Sequence, residues 1–142
     1  GAGASVIVLP ELCVTGYTCG DLFLQDTLLK AAEEALLSIT DETAQLQALC
    51  LVGLPVKARS GSLYNCAAVL NQGKVLHLIP KTHVPNYGEF YELRHFSPAK
   101  AGMEAGTPLR ARRFSVTCPP ATKPSARRNT GGPWSAASRP RP

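Results

Sequence analysis

Residues 5–12 of the chain read Ser-Val-Ile-Val-Leu-Pro-Glu-Leu. A short apolar run of this kind is typical of a strand that is buried on both faces of a sheet. The proline predicts the end of that strand, because it cannot donate to a ladder of hydrogen bonds. Functional side chains gather at the carboxyl ends of strands in α/β sheets, which makes Glu11 a candidate site residue.

A second apolar run ends in the same way. The stretch from Lys74 to Ile79 has the character of a buried strand, Pro80 closes it, and Lys81 follows directly. A single charged residue after a strand is usually a solvated strand end. Two strand ends with opposite charges nevertheless make Glu11 and Lys81 the candidates for a shared site.

The residues between these two ends predict an α/β fold that contains an antiparallel hairpin. Their apolar residues recur first at helical spacing and then in short runs bounded by turn residues. The expected elements are a helix from Asp26, which is also its candidate N-cap, a second short helical segment through Leu49, strands at residues 50–54 and 63–70, and a hairpin turn at Asn71-Gln72-Gly73.

Charge is divided unevenly along the 142 residues. Residues 1–104 hold all ten acidic side chains and seven of the fifteen Lys and Arg, whereas residues 105–142 hold eight basic side chains and no acid. The second stretch is rich in Pro, Ser and Gly and has no periodic apolar pattern, so it cannot build a core. We therefore expect one domain over residues 1–104 and a basic tail over residues 105–142 that is disordered or out of frame.

Several classes of protein are not supported by the sequence. No apolar run reaches the roughly 18 residues of a membrane helix, and the N-terminus lacks the basic region of a secretory signal. The five cysteines form no C-x-x-C pair, and no histidine pattern suggests a metal site. These features predict a cytoplasmic protein without a metal centre, and the strand at the very start suggests that residues precede it.

An ordered series of motifs resembles the nitrilase, or carbon–nitrogen hydrolase, superfamily. Its glutamine-dependent NAD synthetases are the most similar branch, over about residues 1–98. The motifs are Leu9-Pro10-Glu11-Leu12, Gly16-Tyr17, Leu63-Tyr64-Asn65, Pro80-Lys81 and Tyr87-Gly88-Glu89-Phe90-Tyr91-Glu92. The resemblance implies part of an α-β-β-α sandwich and a domain that hydrolyses the side-chain amide of glutamine.

The resemblance also implies a role for each matching residue. A family cysteine attacks the amide carbonyl and forms a thioester, while a carboxylate moves the proton, here Glu11. A fixed cation stabilises the oxyanion, here Lys81. Glu89 and Glu92 compete for a supporting carboxylate, and Glu89 is preferred. If these roles hold, Glu11 and Lys81 should lie about 3–5 Å apart.

Three aromatic residues match family positions that line the glutamine pocket, namely Tyr17, Tyr87 and Phe90. Such residues can also be plain anchors of a core or a loop. The pocket role is the prediction to be compared with the structure.

The nucleophile has no clear counterpart. Cys118 is the one cysteine after Lys81, and it stands before Pro119-Pro120 without the acid that follows the family's cysteine. The chain is therefore expected to be inactive by itself. The alternatives are another amidase of the superfamily and a catalytically inactive fragment or interaction module.

The remaining expectations concern partners. The resemblance implies glutamine as the substrate, a synthetase domain outside these residues that uses ATP and magnesium to make NAD from deamido-NAD, and a homo-oligomeric whole enzyme. No cofactor is expected in this chain. The tail 105–142 has three interpretations: a disordered basic tail, a nucleic-acid-binding arm, or sequence that has left the family's reading frame, which is preferred. Neither nucleic acid nor a membrane is an expected partner.

Overall fold

The computed structural model describes residues 3–100, in which one helix packs on a sheet of four strands. The strands are β1 (Val6–Val8), β2 (Leu49–Lys57), β3 (Leu63–Asn71) and β4 (Lys74–Pro80), and the helix is α1 (Asp26–Glu42). Two 3₁₀ helices lie at Gly20–Leu24 and Glu92–Arg94. The predicted boundary at residue 104 and the tail 105–142 lie outside the described residues.

The strands follow one another across the sheet in chain order. β1 runs parallel to β2, with α1 as the crossover between them, and β2, β3 and β4 form an antiparallel meander. The β3–β4 turn places Gln72 and Gly73 at φ 47° and 72°, the sign that a two-residue hairpin turn requires. The predicted α/β class, with a hairpin inside it, is confirmed.

Helix α1 begins at Asp26 as predicted and buries Leu29, Ala32 and Leu36, of which Leu36 packs in the core of the sheet. Its predicted cap is wrong: Gln25 is the N-cap residue, and the Asp26 carboxylate accepts a hydrogen bond from Lys57 Nζ at 2.8 Å.

The second helical segment predicted to run to Leu49 is also wrong. α1 ends at Glu42, and residues 43–48 form turns. The Thr43 hydroxyl donates to the Ile39 carbonyl at 2.8 Å. A side chain that bonds to the preceding turn in this way competes with continuation of the helix.

The core lies between α1 and one face of the sheet. Every second residue of β2 points into it, from Cys50 to Val56, and Ile7 joins from β1. The opposite face is open at β1, where Val6 is 53% and Val8 68% exposed. The prediction that β1 is buried on both faces is therefore wrong within residues 3–100, because α1 covers only one side.

Strand β2 extends further than predicted, to Lys57, and it runs through Pro55. A proline is tolerated here because β1 pairs only with residues 49–51, so no strand lies beside Pro55 on that side to need its N–H. The added residues pair with the start of β3, Pro55 with Asn65 and Lys57 with Leu63.

Gly53 is the point where the chain after β1 crosses β2. A Cβ atom at this position would lie 2.5 Å from Leu12 N and 2.7 Å from Pro10 O. Those backbone atoms flank Glu11, so the missing side chain of Gly53 lets the segment that carries Glu11 lie directly on the sheet.

Within residues 3–100 no helix has the length and apolar character needed to cross a membrane.

The Gly53→Ala substitution should destabilise the fold by about 3 kcal/mol, at the upper end of the range for overpacking, because backbone atoms cannot move aside as a side chain can. Urea unfolding followed by circular dichroism measures this free energy. Gly61→Ala is the control, because a Cβ there meets no atom within 4 Å and the cost is limited to its positive φ. Equal losses for the two variants would contradict the close-approach argument.

Candidate active site

Glu11 stands at the exit of β1. The Leu9 N–H donates to the Leu51 carbonyl at 2.9 Å, which extends the parallel pairing. The chain then crosses Gly53 and turns at Leu12, which is fully buried at φ 50°. A leucine is rarely found at positive φ, so burial holds this turn in place. The Glu11 side chain stays 43% exposed.

Lys81 stands at the exit of β4. Its N–H donates to the Asn65 carbonyl at 2.8 Å, and its own carbonyl accepts from the Ala99 N–H at 3.0 Å. These two hydrogen bonds therefore fix the backbone of Lys81 in place. Cys66 pairs with Pro80 in the ladder, so the bond from Asn65 to Lys81 continues the β3–β4 register by one residue.

The Lys81 ammonium joins two carboxylates. Its Nζ lies 2.7 Å from Glu11 Oε1 and 2.9 Å from Glu92 Oε2. The predicted convergence of Glu11 and Lys81 is confirmed, at a distance slightly shorter than expected. Glu92 is the most enclosed of the three, with only 6% of its side chain exposed.

Glu92, and not Glu89, is the second carboxylate at Lys81. Glu92 begins the 3₁₀ helix Glu92–Arg94 and is turned inward, where both its oxygens lie within 3.0 Å of Lys81 Nζ. Glu89 is exposed in the preceding loop. The preference for Glu89 does not fit this placement, because Glu92 fills the position beside Lys81 while Glu89 is exposed. A catalytic role for either residue stays a prediction.

Tyr17 is bound to the same group. Its hydroxyl donates to Glu92 Oε1 at 2.8 Å. Burial of the phenol, together with the hydrogen bond and charge of Glu92, raises the pKa of Tyr17 to about 12. The structure therefore places Tyr17 as a support for Glu92, while its predicted contact with substrate stays a prediction.

An exposed ion pair ties together the two segments that hold Tyr17 and Glu92. Arg94 donates from Nε and Nη2 to the two oxygens of Asp21, at 3.0 and 3.1 Å, and His95 Nε2 lies 3.1 Å from Asp21 Oδ1. The hydrogen bonds from Arg94 and then His95 lower the pKa of Asp21 to about 2. This bidentate geometry is the specific form of a carboxylate–guanidinium pair.

The other two predicted pocket residues lie close to each other. Tyr87 is 73% exposed, and its ring meets that of Phe90 edge-on with 5.7 Å between centroids. Tyr87 and Lys81 line one depression of about 670 Å³. Glu11 and Lys81 line another of about 470 Å³. A substrate role for Tyr87 and Phe90 stays a prediction.

The electrostatics of the cluster suit it to amide chemistry. Partial burial lowers the pKa of Lys81, but the hydrogen bonds and charges of Glu11 and Glu92 outweigh this and leave the pKa above its ordinary value. A fixed cation of this kind stabilises a developing oxyanion. A carboxylate beside it accepts a proton, and Glu11 is the more exposed of the two.

A thiol suited to attack is not found among the four described cysteines. Burial raises the pKa of Cys66 to about 12, which keeps it protonated and inert. The Cys13 thiol donates to the Gly53 carbonyl, and the Cys19 thiol to that of Thr15. Cys118 lies outside the described residues. Within residues 3–100 no group of His, Cys, Asp and Glu is arranged to hold a metal ion.

Two residues of the site gained no role from the sequence. Asn65 appeared only as part of a motif, although its amide donates to Glu11 Oε1. Gly53 lies within the predicted strand at residues 50–54, with nothing in the sequence to set it apart. Counting from the two-residue turn would set Asn65 opposite Pro80, but a β-bulge between Val69 and Leu70 shifts the pairing by one residue and brings Asn65 beside Lys81. Both this shift and the crossing at Gly53 become visible only in three dimensions.

Comparison with known proteins gives a consistent result. The family model described as carbon-nitrogen hydrolase matches residues 1–123. A glutamine-dependent NAD(+) synthetase of Mycobacterium bovis is 44% identical over 105 residues, which is 74% of this chain and 15% of that protein. The chain therefore spans about one sixth of the length of the curated relatives it matches.

Solved structures agree with this result. The crystal structure of a glutamine-dependent NAD(+) synthetase from Cytophaga hutchinsonii matches 66% of this chain and 16% of its own, with a TM-score of 0.62 and 35% identity. An amidase of the nitrilase superfamily from Nesterenkonia matches 69% of this chain and 36% of its own, with a TM-score of 0.53 and 24% identity, and supports the fold alone. The chain belongs to the carbon–nitrogen hydrolase family.

Proposed function

We propose that this chain supplies the base and the cation of a glutamine-hydrolysing centre that serves NAD synthesis. The observation that carries the proposal is the Lys81 ammonium held between the Glu11 and Glu92 carboxylates. Relatives that are 44% and 40% identical are named glutamine-dependent NAD(+) synthetase, which favours glutamine over other amides.

Each group has a definite task in this proposal. Lys81 stabilises the oxyanion that forms when a thiol attacks the amide carbonyl. Glu11 takes the proton of that thiol and passes it to the leaving ammonia. Glu92 holds Lys81 in position and is itself held by Tyr17. The ammonia then serves a synthetase domain, which the resemblance to whole enzymes implies as the partner, together with its ATP and magnesium.

The placement of this chain within a larger enzyme is part of the same proposal. The resemblance implies a homo-oligomer, and the cytoplasm is the compartment expected from the N-terminus and the cysteines. The open face of the sheet, where Val6 and Val8 are exposed, fits a body that continues beyond residues 3–100, because exposed apolar strands are unusual on a complete surface.

The Tyr17 pKa should fall when Glu92 loses its charge. In Glu92→Gln we expect a fall from about 12 toward the ordinary 10.0, although not all the way, because burial persists as the first cause. The pKa is measured from the ultraviolet absorbance of tyrosinate as a function of pH. Subtracting the titration of the Tyr17→Phe variant assigns the signal to Tyr17. Glu34→Gln on the exposed side of α1 is the control. An unchanged titration in Glu92→Gln would show that Tyr17 and Glu92 are not bonded.

The glutamine step can be tested in a chimera. The M. bovis enzyme would carry this chain in place of its matching stretch, and NAD formation would be measured with glutamine or with ammonia as the nitrogen source. Lys81→Met should lower only the glutamine-dependent rate, by about 10²–10³, as expected for loss of an oxyanion donor.

Lys57→Met is the matched control for this chimera, because Lys57 also pairs with one carboxylate at 2.8 Å but lies away from the site. It should leave both rates unchanged. A Lys81→Met chimera that still uses glutamine at the parent rate would overturn the proposed function. So would a parent chimera that forms NAD with ammonia and not with glutamine.

The 142-residue chain by itself should release ammonia from glutamine at a rate near background. Glu11 and Lys81 have no activated thiol beside them among the described residues, and loss of a nucleophile costs on the order of 10⁶ in rate. An ammonia assay on the parent, Cys118→Ala and Cys13→Ala measures this. Robust activity in the parent that vanishes only in Cys118→Ala would contradict the prediction and make Cys118 the nucleophile.

A further inference from the structure

Asn65 touches both candidate catalytic residues. Its side-chain amide donates to Glu11 Oε1, and its backbone carbonyl accepts the Lys81 N–H at 2.8 Å. It lies in β3, a central strand, and is only 4% exposed. A buried polar side chain in a sheet costs free energy unless it is bonded, and here the bond goes to the one carboxylate at the mouth of the site.

The two hydrogen bonds to Glu11 fall on the same oxygen. Asn65 Nδ2 and Lys81 Nζ both donate to Oε1. A carboxylate can only accept, so the NH₂ end of the amide must face it. Among the described residues no hydrogen bond is made to Oε2. The carboxylate is thus held at one oxygen and left open at the other.

We propose that Asn65 is a positioning residue that fixes the Glu11 carboxylate, so that Oε2 is the oxygen that accepts the proton. The proposal rests on the proposed role of Glu11 as the base. With Oε1 engaged by two donors, a proton that arrives there would displace one of them, whereas a proton on Oε2 displaces neither. Asn65 also fixes Glu11 relative to Lys81, since it is hydrogen-bonded to both residues.

Asn71 provides a matched comparison on the same strand. Its amide donates to the carbonyls of Ala48 and Gln47 at 3.2 and 3.4 Å, at the far end of the sheet from Glu11. Substitution at Asn71 removes side-chain hydrogen bonds without touching the site. If substitution acts through a general loss of sheet stability, the Asn65 and Asn71 variants should both loosen the Glu11 side chain. If it acts through loss of positioning, only the Asn65 variant should do so.

The test is nuclear magnetic resonance on the full 142-residue chain without substrate. The Asn65 amide should show one proton shifted downfield by its bond to a carboxylate, and this shift should be lost in Glu11→Gln. In Asn65→Ala the side chain of Glu11 should become mobile, as measured by relaxation of its methylene carbons, while Asn71→Ala leaves it rigid.

The outcomes separate this proposal from the proposed function. An Asn65 amide at an ordinary shift that ignores Glu11→Gln would overturn it. So would a Glu11 side chain that is equally rigid in Asn65→Ala. If Asn65→Ala fails to fold, the amide signature in the parent and in Glu11→Gln still decides the question. If the chimera does not use glutamine but the Asn65 amide proton is still shifted by Glu11, the proposed function is rejected. The positioning of Glu11 by Asn65 would then still stand.

Discussion

The contact between the Lys81 ammonium and two carboxylates is the constraint on which the site depends. It joins Lys81 at the end of β4 to Glu11 at the end of β1, which lies 70 residues earlier in the chain, and to the 3₁₀ helix at Glu92–Arg94. Glu92 is nearly buried, and a buried carboxylate without a partner is costly. The chain segment after β4 is therefore held over the sheet by the same charges that are proposed to act on substrate.

The backbone of the sheet brings the residues of this contact close together. Parallel pairing of β1 with β2 and the antiparallel meander through β4 bring the carboxyl ends of β1 and β4 to the same end of the sheet. Gly53 lets the Glu11 segment lie on β2, and Asn65 bonds across to Lys81. Small changes in the backbone at these two positions would move Glu11 without altering its chemistry.

Sequence patterns could predict the parts of the structure that depend on local order. Apolar runs closed by proline located the exits at Glu11 and Lys81, and helical spacing located the start of α1. Motif order pointed to the family. The sequence does not predict the exposed face of β1, because an apolar run does not show whether one or both faces of the strand are covered. The choice between Glu89 and Glu92 was also missed, because it depends on which way a short 3₁₀ turn points its side chain.

The central claim is that Lys81 is fixed between two carboxylates, and hydrogen exchange of the lysine ammonium groups tests it most directly. Lys57 offers the comparison, since it is an exposed lysine with a single partner. The account predicts an ammonium resonance of Lys81 that exchanges with water more slowly than that of Lys57, and that accelerates in Glu92→Gln. Equal exchange at Lys81 and Lys57, unchanged by Glu92→Gln, would contradict it.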